Sequence, residues 1–203
     1  MKARSLFLTS LAVGFSGAMM PGPLLALDIR ESVRLGFVAG PLLILGHAAL
    51  ELALVIAILL GFGRLLARDK VKGGISLAGG GVLLWMAWGM LRDASTLAPP
   101  GAAPAAAPGL PPVPAGALIS LSNPYWSVWW ASIGLAYLTR AREVPRYGAG
   151  LFFTGHILAD FLWYSAVSAA VASGRSLLST GLYRGLIAVC GLFLVYVALW
   201  FAD

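Results

Sequence analysis

The sequence predicts an all-α integral membrane protein of six transmembrane helices arranged as two inverted three-helix repeats. Three observations carry this expectation. Of the 203 residues, 60% are hydrophobic and 11% charged, with a mean hydropathy of +0.88, whereas a soluble domain carries about a quarter charged residues. Apolar runs of roughly 20 residues, enough to cross a bilayer as a helix, recur along the chain. The stretch Gly46-His47-Ala48-Ala49-Leu50-Glu51 returns in near copy as Gly155-His156-Ile157-Leu158-Ala159-Asp160, and the two contain both histidines of the chain.

The same composition excludes several classes. The net charge of +6 does not point to nucleic acid, because the fourteen Lys and Arg cluster between the apolar runs, where membrane proteins carry topogenic charge. Cys190 is the only cysteine, which rules out an internal disulfide, a cysteine metal cluster or a dithiol relay and leaves a packing role. Neither HExxH nor GxSxG occurs, nor an acidic cluster for lipid-phosphate chemistry. No enzyme and no cofactor are expected.

Taken in order, Met1–Met20 has Lys2 and Arg4 before an apolar stretch but no A-x-A site, so it reads as part of a first span rather than a cleaved signal peptide. That span, about Leu6 to Leu27, contains Pro21-Gly22-Pro23. The two prolines deprive the carbonyls of Gly17 and Met19 of helical partners and break the helix. Asp28 to Arg34 balances two acids against two bases and reads as a solvated connector or short interfacial helix. The second span, about Leu35 to Phe62, carries Gly40-Pro41, where a kink is expected, and then the first His/acid pair. The third, about Val71 to Leu91, is glycine-rich, which lets helix backbones approach closely; Trp85 and Trp88 in it fit an interfacial belt or the core equally. The fourth, about Ala115 to Tyr137, holds Ser120-Leu121-Ser122-Asn123-Pro124 and then Trp126, Trp129 and Trp130. Pro124 frees the carbonyl of Ser120, with the Asn123 amide beside it. The fifth, about Tyr147 to Ala172, carries the second His/acid pair, and the sixth runs from about Leu182 to Phe201.

Residues 97–114, rich in Pro, Ala and Gly, read as a linker between a first repeat, 1–96, and a second, 115–203, within one membrane domain. The halves correspond: a proline break opens each, and the Gly-His-x-x-x-acid pattern follows. Lys72-Gly73 aligns with Arg184-Gly185, Gly79 with Gly191 and Trp88 with Trp200. Three spans is an odd number, so one half lies inverted, as in many secondary transporters. With the N-terminus inside, nine basic residues fall on inner segments and five on outer ones, which favours both termini in the cytoplasm.

The candidate site follows from spacing. A four-residue interval stacks His47 on Glu51 and His156 on Asp160 along one helix face. Within apolar runs such groups are costly and mark function; the alternative is a satisfied hydrogen bond that glues the bundle. Glu51 and Asp160 read as the only acids deep inside the spans. A buried carboxylate that ionises reversibly can carry a proton or hold a cationic substrate, but not readily both, which is the physical core of proton-coupled antiport. Histidine can relay the proton or bind substrate. The helix restarting after Pro23 or Pro124 offers free N–H groups to a substrate carboxylate, and the open carbonyls before each break suit an ammonium or metal ion. Pro21, Gly22, Pro23, His47, Asn123, Pro124 and His156 are therefore the expected substrate-binding residues, and Glu51 and Asp160 the proton-coupling ones. Two His and two acids also make a four-ligand set for a divalent cation if the second and fifth spans face each other.

Gly14-Phe15 with Pro21-Gly22-Pro23, Leu121-Ser122-Asn123-Pro124, Asp160-Phe161-Leu162-Trp163-Tyr164 and Arg184-Gly185 resemble the motifs of the lysine exporter (LysE) family of translocators, which includes the homoserine/threonine resistance proteins. The resemblance covers almost the whole chain. It implies six spans in a bacterial or archaeal cytoplasmic membrane and export of an amino acid, amine or related small solute driven by protons, with membrane lipid as surroundings and room for a homo-oligomer. Tyr125-Trp126 stands where the family commonly has Lys-Ala, and His47 where it often has Asp. The superfamily also exports divalent metals, so metal export is the alternative.

Overall fold

The computed structural model describes residues 3–20, 22–62, 110–144, 146–174 and 179–200, with scattered positions between 68 and 94. Every element of these residues is helical: α1 (Ala3–Ala18), α2 (Pro23–Leu35), a 3-10 turn (Gly36–Val38), α3 (Ala39–Ala57) running into a π turn (Ile58–Phe62), α4 (Pro112–Leu121), α5 (Pro124–Trp129), a π turn (Trp130–Gly134), α6 (Leu135–Ala141), α7 (Gly148–Gly174) and α8 (Thr180–Trp200). Most of the predicted third span and linker, with the repeat pairs at Lys72 and Gly79, lies outside the described residues.

Two described helical stretches are long and apolar enough to cross a membrane, Pro23–Gly61 (39 residues) and Gly148–Gly174 (27 residues). The first would measure nearly 60 Å if straight, about twice the hydrocarbon thickness. It is instead jointed at Gly36, whose φ of 76° is accessible to glycine without a Cβ clash. Pro41 therefore falls in the first turn of α3, where its missing N–H has no helical partner to lose.

Both proline breaks become helix restarts. Gly22 is extended (φ −158°, ψ 179°) and Pro23 opens α2. Asn123 (φ −84°, ψ 109°) caps α5 by accepting the Tyr125 N–H on its side-chain oxygen, and Pro124 follows. The carbonyls before the breaks are not open as expected. Met20 N–H donates to the Gly17 carbonyl (3.2 Å) and Asn123 N–H to that of Ser120 (3.1 Å), because the last turn of each helix tightens to i→i+3 bonding. Asp28–Arg34 also departs from expectation. It belongs to α2, with Asp28 and Ser32 fully buried and Glu31 nearly so. The four-residue interval turns Asp28 and Ser32 together into the protein, while Arg34 folds back to pair with Glu31 at 2.6 Å.

The helices meet across glycines. A Cβ on Gly155 of α7 would stand 2.7 Å from the Phe7 carbonyl oxygen and 3.3 Å from Leu11 N on α1. Gly46 of α3 lies against the Val113 carbonyl and Ala117 N on α4. In both crossings the glycine before a histidine packs into two positions four apart on the opening helix of the other half. The Ser10 hydroxyl donates to the Phe152 carbonyl to tie the first crossing. Close backbone contact of this kind supplies dispersion energy where lipid leaves no hydrophobic drive between helices.

Polarity is inside out relative to a soluble protein. Ser10, Asp28, His47, Glu51, Ser120, His156, Asp160 and Ser168 are buried, while Leu45, Leu52, Ile56, Leu158, Leu162, Val189 and Leu192 are exposed. Trp85 and Trp88 also point outward, which decides against the core for them, and Cys190 is buried among Ala26, Ile187 and Leu194.

Two glycines should respond differently to substitution. Gly46→Val should separate α3 from α4 and destabilise by about 3 kcal/mol or more, the scale of an overpacked core. Gly61→Ala, at φ 103° but with open space around it, should cost only ~1 kcal/mol of backbone strain. Thermal unfolding in detergent measures both, and equal effects would refute the packing account.

Candidate functional site

Spans carrying the two histidines converge through the glycine crossings, and the polar groups meet between them. Glu51 is the hub. Its Oε1 accepts the indole N–H of Trp126 (2.9 Å) and of Trp130 (2.7 Å) and lies 3.1 Å from His47 Nε2. Its Oε2 is 3.0 Å from His156 Nε2, off the axis of the ring N–H, so this is a charge contact rather than a directed hydrogen bond. Asp160 stands back: its Oδ2 is 3.7 Å from His156 Nε2 and 3.9 Å from His47 Nε2. The local pairing of each histidine with its own acid is thus only half of what forms. Glu51 serves both imidazoles, and one of them comes from the other half of the chain.

Proton counting constrains the hub. Ser120 spends its one hydroxyl proton on the Gly116 carbonyl (2.7 Å). It must therefore accept from His47 Nδ1, 2.8 Å away, which places a proton on Nδ1. His47 Nε2 then faces Glu51 Oε1, an oxygen already receiving two donor-only indoles. The contact is favourable only with a further proton shared between imidazole and carboxylate.

The two histidines differ in their setting. His156 is enclosed by aromatic rings, stacked on Trp129 at 4.7 Å and edge-on to Trp130 at 5.6 Å, with Phe152 parallel at 6.1 Å. Its Nδ1 has no hydrogen-bond partner among the described residues. On α4 a serine hydroxyl holds His47; on α1, Gly14 packs against the His156 backbone, with the carbonyl oxygen 2.9 Å from where its Cβ would be, and offers no hydroxyl.

One cavity of about 310 Å³ opens onto these groups. Gly22, Pro23, His47, Glu51, Asn123, His156 and Asp160, all singled out from the sequence, line it. The two helix breaks touch, the Asn123 amide nitrogen lying 3.7 Å from the Cβ position of Gly22. Pro124 opens α5 at the second break, and Pro21 lies outside the described residues. Tyr125, Trp126, Trp129, Tyr164 and Tyr196 add aromatic walls. The indole donors to Glu51 were not singled out from the sequence, although Trp126 and Trp130, four residues apart, carry the spacing that aims two side chains the same way. His47, Glu51 and Asp160 also offer ligand atoms that all lie within 4.8 Å of one another, a grouping able to hold a metal ion.

Comparison with known proteins agrees with this architecture. Residues 15–203 match the family model described as LysE type translocator. Over 196 residues, 96% of each chain, the sequence is 32% identical to the chemotactic transduction protein ChpE of Pseudomonas aeruginosa. No solved structure matches. A match over nearly the whole length, on a chain of apolar helices around a buried polar cavity, identifies this protein as a member of the LysE type translocator family of membrane proteins.

Proposed function

We propose that this chain is a proton-driven exporter of an amino acid or related small solute across the cytoplasmic membrane. The observation that carries the reading is the single cavity in which Glu51, Asp160 and both histidines meet the restart of α2. Its volume suits a small solute rather than a peptide or lipid. The first-turn N–H groups after Gly22 and Pro23 suit a substrate carboxylate. Because the carbonyls of Gly17 and Ser120 are occupied, an ammonium group is left to Glu51 and Asp160. A substrate cation and a proton then compete for the same acids, which couples their fluxes.

Six spans in two inverted repeats, 1–96 and 115–203 joined by 97–114, form the proposed scaffold, with both termini in the cytoplasm. Supporting it are the two matched crossings, in which Gly46 meets α4 as Gly155 meets α1, and the matched restarts at Pro23 and Pro124. Divalent metal export is the second reading, favoured by the close grouping of His47, Glu51 and Asp160. Against it, Glu51 Oε1 is already engaged by two indoles.

Glu51→Gln keeps the shape of the hub and removes its charge. Losing hydrogen bonds to a charged group costs up to ~3 kcal/mol, so pH-driven transport in proteoliposomes should fall on the order of 100-fold; full activity would remove Glu51 from the mechanism. Ser120→Ala leaves the His47 Nδ1–H buried without an acceptor, a cost of about 1–3 kcal/mol, visible as a lower thermal midpoint together with weaker substrate counterflow. Titration with Zn²⁺, Ni²⁺ or Cd²⁺ separates the readings. The solute exporter binds none saturably, whereas saturable binding lost in Asp160→Asn would establish the metal reading.

A further inference from the structure

The cavity does not account for Asp28. This carboxylate is fully buried on α2, on the same face as Ser32. Ser168 of α7 donates to Asp28 Oδ1 at 2.7 Å, and Ser32 lies 3.2 Å from the same oxygen and 2.8 Å from Ser168. The N–H of Gly40, at the start of α3, donates to Ser168 at 2.8 Å. Three helices thus meet at the Ser168 hydroxyl beside one carboxyl oxygen. Gly40 makes this possible, since a Cβ there would lie 2.5 Å from both the Ser168 hydroxyl and the Tyr164 carbonyl. Asp28 Oδ2, by contrast, has no hydrogen-bond partner among the described residues. A purely structural hydrogen-bond knot would satisfy both oxygens, because an orphaned buried acceptor is costly. A carboxyl group with one oxygen anchored and the other open is suited to taking up a proton.

The cluster is joined to the cavity. His156, Asp160, Tyr164 and Ser168 follow at four-residue intervals on one face of α7, all buried, at a rise of about 6 Å per step. The first three line the cavity, and the fourth holds Asp28. The opposite side of the helix carries exposed Leu158 and Leu162. Among the described residues, α2 also shares apolar clusters with Ala87, Ala94, Ile187, Cys190 and Leu194 and with Ile119 of α4, and Glu31 is paired with Arg34 further along α2.

Resting on the proton-coupled reading of the cavity, we propose that Asp28 is a second proton-binding site, which exchanges protons with Asp160 along the Tyr164–Ser168 face of α7. Ser168 already donates its proton to Asp28 Oδ1, so a proton that reaches its oxygen from the Tyr164 side passes to Asp28 as Ser168 gives up its own. The net change is one proton lost from the Asp160 carboxyl and one gained by Asp28. Separating the proton's way out from the substrate's lets both occupy the protein in one cycle.

Infrared difference spectra of the protein in nanodiscs, titrated with pH in choline buffer, test proton binding without any substrate. A titrating carboxylic-acid band is expected that Asp28→Asn removes and Asp160→Asn leaves in place; its persistence in Asp28→Asn overturns the proposal. Bleaching of the band by sodium at fixed pH would also overturn it, in favour of a metal-cation site. In proteoliposomes, Asp28→Asn and Ser168→Ala should each retain solute counterflow within about twofold of wild type while losing at least tenfold of the acceleration by a pH gradient. Retained acceleration in both variants refutes the link to the cavity, and counterflow lost in step with acceleration in both does so as well. A wild-type protein that shows the infrared band but no proton-coupled flux would sink the transport reading and leave proton binding at Asp28 standing.

Discussion

Everything at the centre of this protein depends on keeping the carboxylate of Glu51 away from water. An isolated charge in an apolar interior is prohibitively costly, and it survives only when directed donors and countercharges replace its hydration. Here two indoles and two imidazoles do so. The indoles are donor-only and permanent; the imidazoles are conditional, since each can hold or release a proton. The site therefore combines a fixed part that tolerates the anion and a variable part that responds to proton supply. Asp160, 3.7 Å or more from either imidazole, is the less engaged of the two acids.

The two glycine crossings around that hub are alike in their contacts, and the difference between them is informative. Each histidine follows a glycine that lets a helix of the other half come into backbone contact, so the imidazoles are delivered to the same place from two directions. Ser120 then pins His47 by its Nδ1, whereas Gly14 gives His156 no such partner and aromatic rings hold it in place. A pinned imidazole keeps its tautomer, while one held by stacking can change its protonation without breaking a hydrogen bond. The two histidines thus sit in different chemical settings, with a serine facing one and a glycine the other on the opposing helix.

Polar residues inside and leucines outside reverse the usual logic of stability. Without an interhelical hydrophobic drive, cohesion rests on close backbone approach at Gly46, Gly116, Gly155 and Gly40 and on buried hydrogen bonds between helices. The residues that hold the bundle together are consequently those beside the ones that carry charge. Change at a crossing glycine shifts the histidine next to it.

Much of this could be read from the chain. The apolar runs dictated helices because only a helix satisfies its own backbone in lipid. Proline chemistry placed the two restarts at Pro23 and Pro124, and the four-residue interval paired each histidine with an acid, since both effects act within one or two turns of the residue concerned. Tertiary structure decided what those local rules cannot reach. It gave Glu51 both imidazoles and two indoles from residues 75 and 79 positions away, and it closed two of the carbonyls that proline was expected to open, those of Gly17 and Ser120. It also buried Asp28, whose neighbours of both signs resemble a solvated helix end, against a serine 140 positions distant. Helix, break and spacing are set by adjacent residues, but which carboxylate is shielded and which is left open depends on groups that meet only when helices from both ends of the chain pack together.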